Sequence, residues 1–284
     1  MTRRNHLFCS ILKKLLAWIE IGSTKLVNAF ASFRVISDTN HFFNFQGLSG
    51  LVELEQLDDR FTQFRSTLFS LASKGFERAV QTSAVNKKID EQVDEFLILI
   101  SPYFTLRSAH KALEWLINRY HVHLLNVDSW VMCILPYHET KIFIRAVQLL
   151  DLKDESGRWN WLQSLQKPGI PLPKKALLNH CSSDISFLKF ICFMQKKATE
   201  VHTSTALNTY IAFYSTTLIG MLSSKQIKEE QLAVILPSLL YGLGSKNPEL
   251  LSACFMIVAQ LTKETKLSQQ VIEDIIGRLI KVFD

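Results

Sequence analysis

His138 and Glu139 lie side by side within residues 134–150, ILPYHETKIFIRAVQLL, and together they have the chemistry of half a zinc-peptidase motif. The full motif, His-Glu-x-x-His, places two histidines four residues apart on one helix face, where both bind zinc while the glutamate acts as general base. The fifth position here is Ile142, so the second histidine is absent. We therefore predict that Pro136 ends one helix and that His138 and Glu139 open the next. There the histidine would cap free amides and the carboxylate would complement the helix dipole.

The other histidines and the cysteines assemble no metal motif. In HVH, residues 121–123, the two histidines point to nearly opposite sides of a helix, so they converge on one metal only in an extended segment. His180, Cys181 and Cys192 have no partners at a familiar ligand spacing. The five cysteines form no Cys-x-x-Cys pair and fit buried thiols in a reducing compartment better than a disulfide framework. They are Cys9, Cys133, Cys181, Cys192 and Cys254.

Two glycine-containing stretches also fail as sites. GLSGL at 47–51 has Leu51 where a nucleophile elbow needs glycine. GLGSK at 242–246 is too short for a phosphate-binding loop. Scattered serine, histidine and aspartate residues define no catalytic triad without geometry. We therefore predict no catalytic, cofactor-binding or metal-binding residues, no cofactor, and a protein that is not an enzyme.

Composition favours a helical chain. Only 10 glycines and 7 prolines occur among 284 residues, whereas a sheet-rich protein of this length needs many turns. The net charge of +6 is modest and dispersed, so it permits contact with RNA or an acidic partner without requiring it. Some of the lysines come in pairs, which we interpret as solvated helix faces in preference to a nucleic-acid groove. The pairs are Lys13-Lys14, Lys87-Lys88, Lys174-Lys175 and Lys196-Lys197.

The N-terminal stretch MTRRNHLFCSILKKLLAWIE has no acidic residue before Glu20 and carries two arginines and two lysines among apolar residues. Two interpretations stay open, an amphipathic first helix, which we favour, and a mitochondrial presequence. No uncharged apolar run approaches the ~18 residues that span a membrane, so we predict no membrane partner.

Apolar residues at three- and four-residue steps predict helices along most of the chain, most clearly over 85–100. The long irregular stretch is 152–172, which we predict to be a boundary or a projecting loop with a short helix over 159–165. Its Trp159 and Trp161 form a docking surface or, in the interpretation that we favour, pack in the core. The predicted helices cover 46–57, 64–82, 85–100, 106–121, 127–135, 139–151, 173–181, 184–201, 205–223, 226–243, 248–263 and 267–283.

The final third indicates the architecture. Residues 232–262 contain a helix with Pro237, a polar turn with Gly244 and Asn247, and a second helix, which resembles a HEAT repeat. Another first helix follows about 36 residues later, near the period of such repeats. One helix pair cannot bury its apolar faces alone, so neighbouring pairs must stack. We therefore predict an all-α fold, an α-solenoid of HEAT-like antiparallel helix pairs, in preference to an irregular bundle.

Three stretches within residues 77–150 carry a more specific signal: ERAVQTSAVNKKIDEQVDEFLILISPYF, KALEWLINRYHVHLLNVDSWV and CILPYHETKIFIRAVQLL. They closely resemble the N-terminal domain of the HEAT repeat-containing protein 1 family, called U3 small nucleolar RNA-associated protein 10 in fungi. The resemblance continues more weakly from Gly47 to the C-terminus.

We predict four segments from these patterns. They are a divergent N-terminal helical segment over 1–45, the family's N-terminal helical domain over 46–151, an irregular loop or boundary over 152–172, and HEAT-like repeats over 173–284. The last segment ends after an unpaired first helix, which is typical of a truncated array or a fragment of a longer protein. Residues 1–45 depart from the family's usual opening, which fits a targeting segment or a misassigned start codon.

The resemblance implies a nucleolar scaffold of the small-subunit processome. It implies a role in ribosome biogenesis, in processing of the 18S precursor ribosomal RNA and in its transcription by RNA polymerase I. The implied partners are other subunits of the early-binding subcomplex, with precursor ribosomal RNA and U3 small nucleolar RNA contacted directly or indirectly, and no small-molecule substrate. Residues 136–145 transfer as fold determinants, because the family has no catalytic residues. The alternative that stays open is a helical-repeat adaptor in another compartment, mitochondrial or trafficking, that binds protein partners only.

Overall fold

The computed structural model describes residues 40–70, 76–152, 157–201, 207–224 and 227–283. In these ranges the backbone forms α-helices and short 3-10 helices and no strand, which confirms the predicted all-α fold. No helix within the described ranges is both long enough and apolar enough to cross a membrane. The interpretations of residues 1–39 and of Cys9 lie outside the described residues.

Packing divides the chain into two compact units, and each is described by itself. The first contains the described residues up to Val80 together with Thr105–His121, and the second contains Gln81–Phe104 and the residues from Val122 onward. The predicted segment boundaries after residues 45, 151 and 172 stay predictions.

Helices are numbered here in chain order. The first unit contains α1 (Asn40–Glu55), α3 (Arg107–Tyr120) and the 3-10 helices Asp59–Phe64 and Arg78–Val80. The second unit contains α2 (Ser83–Ile100), α4 (Val122–Leu125), α5 (Val127–Ile134), α6 (Lys141–Val147), α7 (Gln163–Gln166), α8 (Lys174–Ser183), α9 (Ile185–Val201), α10 (Asn208–Ser224), α11 (Glu229–Leu243), α12 (Pro248–Glu264) and α13 (Gln269–Phe283).

Two glycines bring α1 close to α3 in the first unit. A Cβ on Gly47 would lie 2.6 Å from Cβ of Trp115, and a Cβ on Gly50 would lie 2.7 Å from the carbonyl oxygen of Ser108. Only a residue without a Cβ permits such a close approach of two helices. The stretch GLSGL, which fails as a nucleophile elbow, is therefore a helix-crossing element.

The helix predicted over 64–82 is wrong in the part of that range that the structure describes. The carbonyl oxygen of Phe64 accepts from the amides of Thr67 and Phe69, so the regular four-residue pattern of an α-helix does not form. Further along, the carbonyl of Leu68 accepts a hydrogen bond from Nε1 of Trp115 at 3.0 Å. Contacts with α3 thus override an apolar spacing that locally favours a helix.

The second unit begins with α2, whose predicted apolar stripe is confirmed from Val93 onward, whereas Val85 at its start is 40% exposed. Val93, Phe96 and Ile100 are buried, and the hydroxyl of Thr82 caps the helix. On the other face, Asp94 accepts hydrogen bonds from Ser129 on α5 and from Lys197 on α9, the latter at 2.5 Å. Polar contacts therefore join the first helices of this unit to its later ones.

From α8 onward the helices form two layers. Helices α9, α11 and α13 lie side by side in one layer, and α8, α10 and α12 lie side by side in the other. Consecutive helices pack as pairs, α9 with α10 and α11 with α12. At the turn between α11 and α12 the side chain of Asn247 accepts from the amide of Leu250 at 3.0 Å, and Pro248 opens the helix. This alternation confirms the predicted HEAT-like helix pairs.

Candidate functional site

The prediction that His138 opens a helix is wrong. His138 lies in a turn and forms hydrogen bonds to a segment more than thirty residues later in the chain. Its ring is buried, and Nδ1 lies 2.8 Å from the carbonyl oxygen of Leu172. A carbonyl only accepts, so Nδ1 carries the proton. The amide of Leu172 donates in return to the carbonyl of His138 at 2.9 Å. The helix start predicted at residue 139 is wrong, because α6 begins at Lys141 and the hydroxyl of Thr140 caps it.

Glu139 is a helix cap, but of a different helix from the one predicted. Its Oε1 accepts from the amide of Lys174 at 3.2 Å, and Lys174 is the first residue of α8. The carboxylate therefore satisfies a free amide and complements the dipole of a helix that starts 35 residues later. Ile142, which breaks the zinc motif, is buried in α6.

We expect His138→Phe to lower the free energy of unfolding by about 1 kcal/mol, because the Leu172 carbonyl loses its donor in a buried position. Urea unfolding measures the loss, and faster hydrogen exchange at the amide of Leu172 locates it. Glu139→Gln is the matched control, since an amide oxygen still accepts from Lys174. Equal exchange at Leu172 in the His138 variant and the wild type would contradict this assignment.

The described part of the predicted projecting loop packs onto the helices instead of projecting. Trp159 is buried, its Nε1 donates to Oδ1 of Asp128 at 2.7 Å, and its ring meets Phe190 edge-on at 4.7 Å between centroids. Nε2 of Gln166 donates to the carbonyl of Val147 at 2.8 Å. The short helix predicted within this stretch is confirmed by a 3-10 turn over Asn160–Leu162 followed by α7.

Trp161 is half-buried and packs on aromatic neighbours. Its ring centroid lies 4.1 Å from that of His180 and 5.3 Å from that of Phe187. Burial lowers the pKa of His180, and Asp184, whose Oδ2 lies 3.7 Å from Nε2, partly opposes that effect. Both tryptophans thus pack against helices of the second unit, in agreement with the interpretation that we favoured.

The remaining sequence candidates do not converge. His121 ends α3 in the left-handed conformation with φ 51°, and His123 lies in α4. Nowhere in the described ranges do three His, Cys, Asp or Glu side chains lie close enough together to hold a metal ion. The described cysteines, at positions 133, 181, 192 and 254, are buried and free, as predicted. Burial raises the pKa of each thiol, to about 12 for Cys192 and Cys254, so these thiols are protonated at neutral pH.

A surface groove between α9 and α11 was not predicted from the sequence. It has a volume of about 330 Å³, and its apolar lining includes Val234 and Pro237 of α11. On α9, the side chain of Phe193 is 53% exposed and lies between two lysines in sequence, Lys189 and Lys196. The sequence contains one signal for this groove. Phe193 follows Lys189 by four residues and precedes Lys196 by three, so its aromatic ring lies on the same helix face as two exposed lysines.

Two kinds of comparison agree on what the chain is similar to. The model of the family described as U3 small nucleolar RNA-associated protein 10 matches residues 231–284. HEAT repeat-containing protein 1 of Homo sapiens is 40% identical over 241 residues, covering 83% of this chain and 11% of the human protein. The Drosophila melanogaster homolog is 41% identical over 236 residues, 82% of this chain and 11% of the fly protein.

A fungal relative extends the comparison. U3 small nucleolar RNA-associated protein 10 of Yarrowia lipolytica is 29% identical over 231 residues, 81% of this chain and 14% of the fungal protein. These comparisons confirm the resemblance found in the sequence, to the family of HEAT repeat-containing protein 1 and U3 small nucleolar RNA-associated protein 10. The chain spans about a ninth of the length of the human and fly relatives.

Proposed function

We propose that this chain is part of a nucleolar scaffold of the small-subunit processome that supports ribosome biogenesis. The observation that carries the proposal is the similarity, over most of this chain, to HEAT repeat-containing protein 1 and to fungal proteins named for their association with U3 small nucleolar RNA. In this proposal the chain binds subunits of the early-binding subcomplex and reaches precursor ribosomal RNA and U3 RNA directly or through them. It acts in 18S precursor processing and RNA polymerase I transcription by positioning partners, without a catalytic, cofactor or metal site.

The fold supports a binding role. Stacked helix pairs expose the outer faces of successive helices as a continuous surface, which is how repeat proteins of this kind bind extended partners. The groove between α9 and α11 lies on one such layer. The side chains that first suggested chemistry, His138 and Glu139, are hydrogen-bonded to the backbone at the start of α8 and its preceding segment.

Affinity purification of the tagged full chain tests the proposal. We expect processome subunits, precursor ribosomal RNA and U3 RNA to co-purify, and nuclease treatment before purification distinguishes direct protein contacts from contacts through RNA. The tag alone is the control. Purification of the folded chain with none of these molecules would overturn the proposal.

Imaging of a fluorescent fusion with and without residues 1–45 tests the location. We expect signal in the nucleolus from both fusions. Signal in mitochondria that disappears with the deletion would instead support the adaptor of another compartment.

A further inference from the structure

We propose that the groove between α9 and α11 binds an acidic peptide segment of a protein partner that inserts one bulky apolar side chain. The inference rests on the proposed scaffold function, because a scaffold acts by holding segments of its partners. It adds the place of one contact and the chemistry that recognises it.

The apolar part of the groove has room for an apolar side chain. Ala233, Val234 and Pro237 line it from α11, and Phe193 lines it from α9 with just over half of its side chain exposed. Its volume of about 330 Å³ lies at the low end of the range of about 300–1,000 Å³ for ligand pockets. Since the aromatic ring and the proline are open to solvent, inserting a leucine or phenylalanine side chain would remove apolar surface of both partners from water.

The charges around the groove favour acidic residues on either side of the inserted apolar residue of the peptide. Among the described residues, two lysines, Lys189 and Lys196, line it and no carboxylate does. They lie seven residues apart on α9, about 10 Å along the helix axis at 1.5 Å per residue. Lys196 is held by an exposed ion pair with Glu200 at 3.7 Å, which is weak, and by the ring of Tyr241 at 5.4 Å. Two cations at the edges of an apolar groove complement a peptide with carboxylates on both sides of its apolar residue.

A peptide fits this lining better than single-stranded RNA. Proteins that bind single-stranded RNA offer aromatic faces on which bases stack, together with a charged track for the phosphates. Here Lys196 lies over the ring of Tyr241, and α11 lines the groove beside Phe193 with the apolar side chains of Ala233, Val234 and Pro237. The two lysines alone make a short track for a phosphate backbone.

Phage display with a random 12-residue peptide library on the full 284-residue chain tests the inference. We expect enriched peptides to carry a large aliphatic or aromatic residue flanked by aspartate or glutamate. The most enriched peptide is then synthesised with a fluorescein label, and its binding is measured by fluorescence polarisation. Raising the salt concentration should weaken binding, because part of the attraction is between exposed charges.

Three variants locate the binding site. Ala233→Glu places a carboxylate in the groove, and we expect at least a tenfold loss of affinity for the labelled peptide. The double variant Lys189→Glu/Lys196→Glu should cause a similar loss. Lys175→Glu, a single charge reversal on α8 in the other layer, should bind within twofold of the wild type. Circular dichroism confirms that each variant keeps its helices.

Several results would overturn the inference. These are a library that yields no enriched peptide, enriched peptides without carboxylates, or unchanged binding to the Ala233→Glu variant. Binding of a labelled 20-nucleotide single-stranded RNA that the same variants abolish, and that the peptide does not displace, would assign the groove to RNA instead. The results distinguish a failure of this inference from a failure of the proposed function. If the chain does not associate with the processome in cells, the proposed function is refuted, whatever the peptide binding in vitro. If the groove variants bind the peptide as the wild type does, only the groove assignment is refuted.

Discussion

Replacing Gly47 with alanine is expected to lower the free energy of unfolding of the first unit by about 2–3 kcal/mol. The added Cβ would lie 2.6 Å from Cβ and 2.8 Å from Cε3 of Trp115. The first of these atoms is fixed to the backbone of α3, and the indole is held by the hydrogen bond from its Nε1 to Leu68. The two helices must therefore separate, and the separation exposes apolar surface that is now buried. Native-state hydrogen exchange in α1 and α3 measures the loss.

Replacing glycine with alanine at position 277 should have the opposite effect on stability. Gly277 lies in the exposed part of α13, and an added Cβ there would meet no atom within 4 Å. Gly277→Ala should therefore stabilise its helix by about 0.5–1 kcal/mol, through the lower conformational entropy of alanine in the unfolded chain. Exchange in α13 should slow in this variant, whereas exchange in α1 should quicken in the Gly47 variant. A stabilising effect at both glycines would show that α1 and α3 do not approach closely.

The helices that the sequence predicts well carry their own signals. The apolar stripe over 85–100 and the capping residue Thr82 are both local, and α2 is observed at Ser83–Ile100. The turn before α12 is likewise encoded by Asn247 and the proline that follows it. Because periodicity and caps act within a few residues, they locate such helices without knowledge of what packs against them.

The failures lie where distant residues decide the local structure. Phe64 and Leu68 are spaced as on a helix, but the Trp115 side chain, 47 residues further on, binds the Leu68 carbonyl in a turn. Gly47 and Gly50 gave no signal of helix packing, since a glycine indicates a close approach only when the opposing surface is known. The groove is missed for the same reason, because α9 supplies one wall and α11, some forty residues later, supplies the other.

His138 and Glu139 show how far local reasoning reaches. The missing second histidine is visible in the sequence, so the zinc motif is rejected without a structure. A capping role for Glu139 also follows from its charge, because a carboxylate suits a helix N-terminus. Which helix Glu139 caps depends on the path of the chain between α6 and α8. The residues around position 139 do not determine that path.

The second large effect is expected at the crossing of α11 and α12. A Cβ on Gly242 would lie 2.2 Å from Sγ of Cys254, a fully buried thiol on a short side chain. We expect Gly242→Ala to lower the free energy of unfolding of the second unit by about 2 kcal/mol. Cys254→Ala alone removes one buried atom and should cost about 1 kcal/mol. Guanidinium unfolding of the single variants and the double variant gives a double-mutant cycle.

In that double variant the methyl group added at position 242 occupies the space left by the sulfur, so the loss should be smaller than the sum of the single losses by about 1–2 kcal/mol. Gly242→Ala combined with Cys133→Ala is the control, and these changes should add, because the glycine meets Cys254 and Leu250 but not Cys133. Additive losses for Gly242 and Cys254 would mean that the two helices do not touch at this crossing. Contact at this crossing lets α11 and α12 bury their apolar faces against each other as one repeat. A coupling energy that makes the double variant less destabilised than the sum of the single variants would therefore support this packing of the helix pair.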